Sequence, residues 1–210
     1  MNRKEIDQRV AGVLSAWNIP GGAVAIIQGD DIYTQGYGLV EVGKSGSVNA
    51  DTIFAIGSTT KAFTSALIGM LVDEGKLGWD DPVCKHIPEF RLYDEWITER
   101  VTVRDLLCHR LGLERAQRLY YHRGYDQHEM MRRMQYLRPK FNFRTQFQYA
   151  NQQFGVAGLL VEAVSGKSWD DFITDRVFNP LGMSRSHSGY DRVTDLQNFA
   201  SPHAVLDETY

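Results

Sequence analysis

The stretch FAIGSTTKAF, residues 54–63, holds a serine three residues before a lysine: Ser58 and Lys61, just after Gly57 and at the start of an expected helix. Three residues is close to one helical turn, so the two side chains share a face. A serine hydroxyl is a poor nucleophile until a neighbouring group takes its proton. A lysine can take it only in the neutral form, which burial and nearby positive charge favour. The positive end of the helix dipole would help hold an anion formed at Ser58. The same spacing also fits a plainer arrangement, in which Ser58 caps the helix and Lys61 points to water.

A second polar triplet, Tyr149-Ala150-Asn151 in FQYANQQFG, stands just before an expected buried helix. A tyrosine held near a lysine can act as a phenolate-like base, because the neighbouring charge lowers its pKa. An asparagine two residues on offers both a donor and an acceptor to a substrate amide. The plainer alternative is an aromatic on a helix shoulder, with Asn151 as the N-cap.

These groups must be held by the elements around them. Ile6, Val10, Val13, Leu14 and Trp17 fall on one helical face, so residues 3–17 form an amphipathic helix. AVAIIQ, then Gly29-Asp30-Asp31, then IYTQGYGLVEV predicts two strands joined by a tight turn. A helix over Thr59–Leu77 follows, stopping near Gly75, and the pattern after it is mostly helical. Thr102 with Asp105, and Ser168 with Asp171, have capping-box spacing. NQQFGVAGLLVEAVSG predicts a buried helix ending at Gly166. Two strands followed by a long helical region, without regular β–α alternation, argue against a doubly wound parallel sheet.

Other spacings point less far. Gly38 to Ser45, GLVEVGKS, fits the phosphate-loop pattern formally. Its inner residues alternate as a strand, however, and no helix is expected at Lys44, so a loop after a strand is the better reading. His122 and His128 lack a compact ligand spacing, and no metal is expected there. Cys84 and Cys108 also lack it and are expected as small buried hydrophobes, not a disulfide.

The 210 residues carry a net charge of -3, with 43% hydrophobic and 23% charged residues. That is enough for one domain with a sizeable core, and it argues against nucleic acid as partner, since phosphate binding needs a basic face. No apolar run is long enough to span a bilayer, so no membrane is expected. The start, MNRKEIDQRV, has no signal-peptide core, which points to the cytoplasm if Met1 is the natural start. If a leader preceded Met1, a secreted or periplasmic location stays open.

S-x-x-K followed downstream by a polar triplet is the arrangement of serine β-lactamases and penicillin-binding proteins. With Tyr-Ala-Asn as the second element, the chain resembles the class C β-lactamases and the related esterases and D-aminopeptidases. The likeness runs through IFAIGSTTKAFTSALIGMLVDEGKLGWDDPVCKHIPEF, VTVRDLLCHRLGL, FQYANQQFGVAGLLVEAVSGKSWDDFI and NPLGMSRS, in the family's order, from about residue 5 onward. The resemblance implies an α/β (α+β) fold: an antiparallel sheet with flanking helices plus a mostly helical region, with the active site between them. It implies Ser58 as the nucleophile and Lys61 as a group that helps deprotonate and position it. Tyr149 would be general base and then acid to the leaving group, and Asn151 would hold a substrate carbonyl or amide. The backbone N–H of Ser58 would form half of an oxyanion hole.

The chain also departs from that family. The third motif, K-T-G or a relative beginning with histidine or tryptophan, is not found. His187-Ser188-Gly189 has an H-x-G form but follows PLGM directly, too early in the family order, and is read as a loop. Cys108 and Arg110 stand where relatives often have serine and threonine. The last residues, SPHAVLDETY, do not close a domain. The expectation is therefore the N-terminal part of a β-lactamase-related domain with its C-terminal strands missing. Residues 1–56 would form the helix and strands and 57–210 the mostly helical region.

The function this implies is a serine hydrolase working through an acyl-enzyme, without cofactor, on an ester, an amide or peptide, or a β-lactam. The lack of a leader tilts the choice toward an esterase or peptidase. The alternative is a catalytically incomplete fragment or binding domain of the same fold. An unpaired sheet edge would leave the chain prone to self-association.

Overall fold

The computed structural model describes residues 2–116, 124–193 and 198–204. The chain divides into two compact units, Met1–Ile56 with Ser184–Tyr210, and Gly57–Met183.

In the first unit, helix α1 (Arg3–Ala16) opens on Asn2, whose side chain accepts the Glu5 N–H. Strands β1 (Gly21–Gln28) and β2 (Asp31–Gly38) pair antiparallel, Gly21 opposite Gly38 and Gln28 opposite Asp31. Asp7 of α1 accepts hydrogen bonds from the Tyr33 and Tyr37 hydroxyls of β2, which docks the helix on the hairpin. β2 ends at Gly38, earlier than the alternation through Val42 suggests. Gly38 is left-handed (φ +71°), and a Cβ there would stand 2.1 Å from the Pro20 carbonyl oxygen, so the chain turns away at that residue. Beyond it Lys44 lies in a turn, ion-paired to Glu41 at 2.8 Å, and no helix begins there.

Among the described residues the sheet has these two strands alone, and Ile27 and Ile32, facing each other across the pair, are exposed. The later segment returns to this unit rather than extending the helical region. Ile53 N–H donates to the Asn198 carbonyl and Ala200 N–H to the Ile53 carbonyl, both at 2.9 Å. His187-Ser188-Gly189 is irregular backbone in this segment.

The second unit is helical. A single 3₁₀ turn (Gly57–Thr59) leads into α2 (Thr60–Asp73), followed by α3 (Val83–His86), α4 (Glu95–Thr98), α5 (Val103–Leu107) and α6 (Gln127–Arg133). The long α7 (Asn151–Ser165) and α8 (Trp169–Ile173) complete the described α-helices, and a π-helical turn (Thr174–Phe178) continues α8. Leu67, Ile68 and Leu71 of α2 share one buried core with Val156, Leu159 and Leu160 of α7, joined by Leu106, Met131 and Phe172. Burying each such side chain contributes about 1.5–3 kcal/mol. The two helices whose first turns carry Lys61 and Asn151 are thus fixed to each other by their own apolar faces.

The helix ends follow their signals. Thr102 and Asp105 form a full capping box, the Ser168 hydroxyl accepts the Asp171 N–H, and α7 stops at left-handed Gly166. α2 ends at Asp73, short of the expected Leu77, because Gly75 turns left-handed (φ +69°). The expectation for the cysteines needs correction. Both are free, Cys84 is half-buried, and Cys108, placed at the end of the short α5, is exposed. His128 stands on α6, whereas His122 lies outside the described residues. No described helix is long and apolar enough to cross a membrane.

Candidate active site

Ser58 sits in the 3₁₀ turn that opens α2, and Lys61 in the first turn of that helix. Left-handed Gly57 (φ +51°) lets the chain bend into the turn and leaves Ser58 exposed rather than capping: the N-cap of α2 is Thr59. Lys61 Nζ donates to Ser58 Oγ at 3.1 Å and to Asn151 Oδ1 at 2.8 Å. Ser58 Oγ and the Tyr149 hydroxyl are hydrogen-bonded at 2.5 Å. All four residues singled out from the sequence therefore meet at one point, and all lie within the second unit.

Asn151 is not an N-cap either. It is the first residue of α7, the cap position is Ala150, and no side chain caps it. The Asn151 carboxamide is thereby left to hold Lys61. Because Ser58 Oγ accepts from Lys61, the serine's own proton is free to point at the Tyr149 oxygen.

Tyr149 is carried by a stretch that pairs with residues 109–112. The Lys140 N–H donates to the Gly112 carbonyl, the Arg144 N–H to the Arg110 carbonyl and the Gln148 N–H to the His109 carbonyl, each at 2.9 Å. Gly112 permits this approach. It is left-handed (φ +73°), and a Cβ there would lie 2.1 Å from the Phe141 carbonyl oxygen. Arg144 clamps the same stretch onto α5. Its guanidinium bonds both carboxylate oxygens of buried Asp105, the closest contact being 2.6 Å, and donates to the Arg100 carbonyl at 3.0 Å.

The electrostatics of the site lower the pKa of the Tyr149 phenol. Burial alone would raise the pKa of Tyr149, but its interactions with Lys61 and the Ser58 hydroxyl, together with the charges of Lys61 and Arg115, outweigh that and bring it below the ordinary tyrosine value. Lys61 Nζ lies 4.7 Å and the Arg115 guanidinium carbon 5.3 Å from the centre of the Tyr149 ring. The arrangement brings a hydroxyl, a phenol hydrogen-bonded to it and an ammonium donor to one point.

Three neighbours were not singled out from the sequence. His109 packs against Tyr149, Arg144 braces its loop, and Arg115 adds charge beside its ring. Of these only the first had a visible signal, a histidine inside the apolar stretch LLCHRLGL. His187-Ser188-Gly189 belongs to the other unit.

The sequence matches the β-lactamase family over residues 5–204. The unguisins hydrolase ungD' of Aspergillus campestris (strain IBT 28561) is 37% identical over 196 residues, covering 87% of this chain and 36% of that protein. The octameric penicillin-binding protein homologue of Pyrococcus abyssi has the same fold with a TM-score of 0.87 at 27% identity, covering 100% of this chain and 50% of that one. A class C β-lactamase matches with a TM-score of 0.78 at 25% identity, over 94% of this chain and 54% of that one. The chain spans about a third to a half of the length of these relatives.

Proposed function

The chain belongs to the β-lactamase family, and on that footing we propose that it carries the nucleophilic half-site of a serine hydrolase working by acyl transfer. One observation carries the reading: Ser58 Oγ lies 2.5 Å from the Tyr149 hydroxyl while Lys61 Nζ donates to it at 3.1 Å. Tyr149 takes the Ser58 proton as Oγ attacks the substrate's carbonyl carbon. A C–O bond forms, the carbonyl oxygen becomes an oxyanion, and the bond to the leaving alcohol or amine then breaks. Tyr149 returns the proton to that leaving group. In the second half a water gives its proton to Tyr149, attacks the acyl carbon and releases the acid, and the proton goes back to Ser58 Oγ.

Asn151 holds Lys61 and faces the substrate's carbonyl or amide, and the Ser58 N–H is one donor to the oxyanion. The substrate class we propose is an ester, an amide or peptide, or a β-lactam, since each offers the acyl carbon this chemistry needs. A relative named as an unguisins hydrolase supports hydrolysis as the reaction type.

A second reading rests on one fact, that the chain spans 36% of that relative's length. In it the site binds or acylates but does not turn over. Hydrolysis of 4-nitrophenyl acetate separates the two. Under acyl transfer with turnover, nitrophenol release continues past one equivalent and is lost in Ser58→Ala. A burst that stops at one equivalent supports the second reading, and release unchanged in Ser58→Ala refutes both.

A further inference from the structure

We propose that His109 is a positioning residue for Tyr149, a neutral imidazole that fixes both the phenol ring and the backbone on either side of it. This rests on the acyl-transfer reading, in which Tyr149 is the base. Three contacts on one residue carry it. The His109 carbonyl accepts the Gln148 N–H at 2.9 Å. His109 Nδ1 accepts the Ala150 N–H at 3.3 Å. The imidazole lies 4.6 Å from the Tyr149 ring, centre to centre and tilted by 44°. The residues before and after the tyrosine are thus both bonded to the histidine that its ring packs on.

The rest of the surroundings fit the same role. His109 is buried, at 5% exposure, and its ring is also walled by Phe147 at 5.4 Å and Phe154 at 5.2 Å. Its backbone is left-handed (φ +55°), a conformation histidine and asparagine tolerate better than most residues. That turn lets one residue present its carbonyl and its ring to the same stretch of chain. Nδ1 can accept only if it carries no proton, so the neutral ring must hold its proton on Nε2.

The charged and titratable groups facing it are Lys61 from α2 and Tyr149 itself. Burial and then the Lys61 charge lower the imidazole's pKa to about 4. Through neutral pH the ring is an acceptor and not a second cation beside Lys61.

The test uses two variants and one measurement on the unmodified protein. His109→Asn tolerates the left-handed backbone but removes the ring. His109→Phe keeps a ring but removes the acceptor. Both are expected to lower kcat for 4-nitrophenyl acetate by about tenfold to a hundredfold per fluorophosphonate-titrated Ser58, with KM nearly constant, because a misplaced base loses rate rather than binding. In both, the rise of kcat with pH should move to higher pH, since a tyrosine no longer held against Lys61 regains its ordinary pKa.

A kcat per titrated site within twofold of wild type, with an unmoved pH profile, would make His109 a packing residue and overturn the proposal. Independently of whether either variant folds, ¹⁵N NMR of the wild-type imidazole should show a bare Nδ1 and a protonated Nε2 at pH 7. A proton on Nδ1 there overturns it as well. Failure of Ser58 to react with the fluorophosphonate would instead remove the acyl-transfer reading, which the NMR result does not touch.

Discussion

Lys61 Nζ lies 2.8 Å from Asn151 Oδ1, so the first turns of α2 and α7 are tied by a hydrogen bond at the point where Ser58 and Tyr149 meet. The buried faces of the same two helices pack together below it. Without the Asn151 acceptor, Lys61 would keep its contacts with Ser58 Oγ and Tyr149 but lose its tie to α7.

Asn151→Ala is therefore expected to lower kcat/KM for an activated ester by about tenfold, the worth of one lost hydrogen bond to a charged group, roughly 1.5 kcal/mol. Steady-state kinetics on 4-nitrophenyl acetate check this. A value unchanged from wild type would mean that Lys61 needs no such anchor.

Tyr149→Phe removes the proton acceptor and little else. The expected loss in kcat is about a hundredfold or more, with the thermal midpoint nearly unmoved because the ring and its packing stay. A variant that keeps near-full kcat would transfer the base to another group.

The pH dependence has a definite sign. The charges of Lys61 and Arg115 help hold the Tyr149 pKa below its ordinary value of 10.0, against the opposing effect of burial. If the phenolate is the base, kcat rises with pH through that lowered value and levels off above it. Arg115→Gln removes one of the charges and should shift the rise to higher pH. A profile that stays in place would show that the Arg115 charge is screened at Tyr149.

Much of this site was legible in the sequence. The S-x-x-K spacing places Ser58 and Lys61 on one face because three residues make about one turn, here the 3₁₀ turn running into α2. The Tyr-Ala-Asn triplet was legible through the company it keeps with S-x-x-K, since its place before an apolar helix fitted a cap equally well. The clamp behind Tyr149 was not. His109, Arg144 and Gly112 reach it through contacts 28 to 44 residues apart in sequence, Lys140 to Gly112 and Arg144 to Arg100 at the two ends of that range, and no local periodicity encodes such pairings. The end of β2 at Gly38 was missed for a similar reason. The alternation through Val42 continues, but a distant carbonyl, that of Pro20, forces the turn.

The Arg144–Asp105 pair carries a stability prediction. Burial raises the pKa of Asp105, but the bonds from Arg144 and Thr102 outweigh it, so the folded value lies below the ordinary 3.8. The pair's contribution is then full above that ordinary value and is lost as pH falls through the folded one. Asp105→Ala is expected to cost about 3 kcal/mol at pH 7, since it leaves the Arg144 fork and the Thr102 N–H without their acceptor. Urea denaturation at pH 7 measures it, and a change under 1 kcal/mol would show that the loop is held by its backbone bonds alone.

The central claim is that Ser58 is the nucleophile, and covalent capture tests it most directly. The protein is incubated with a fluorophosphonate probe, the intact mass is measured, and the modified peptide is mapped. Attack by Ser58 Oγ forms a P–O bond and expels fluoride, so a single gain of the probe mass less hydrogen fluoride is expected. The adduct should map to Ser58, form about a hundredfold or more slowly in Tyr149→Phe, and not form in Ser58→Ala. An adduct on another residue, or equal labelling in Ser58→Ala, would contradict the account.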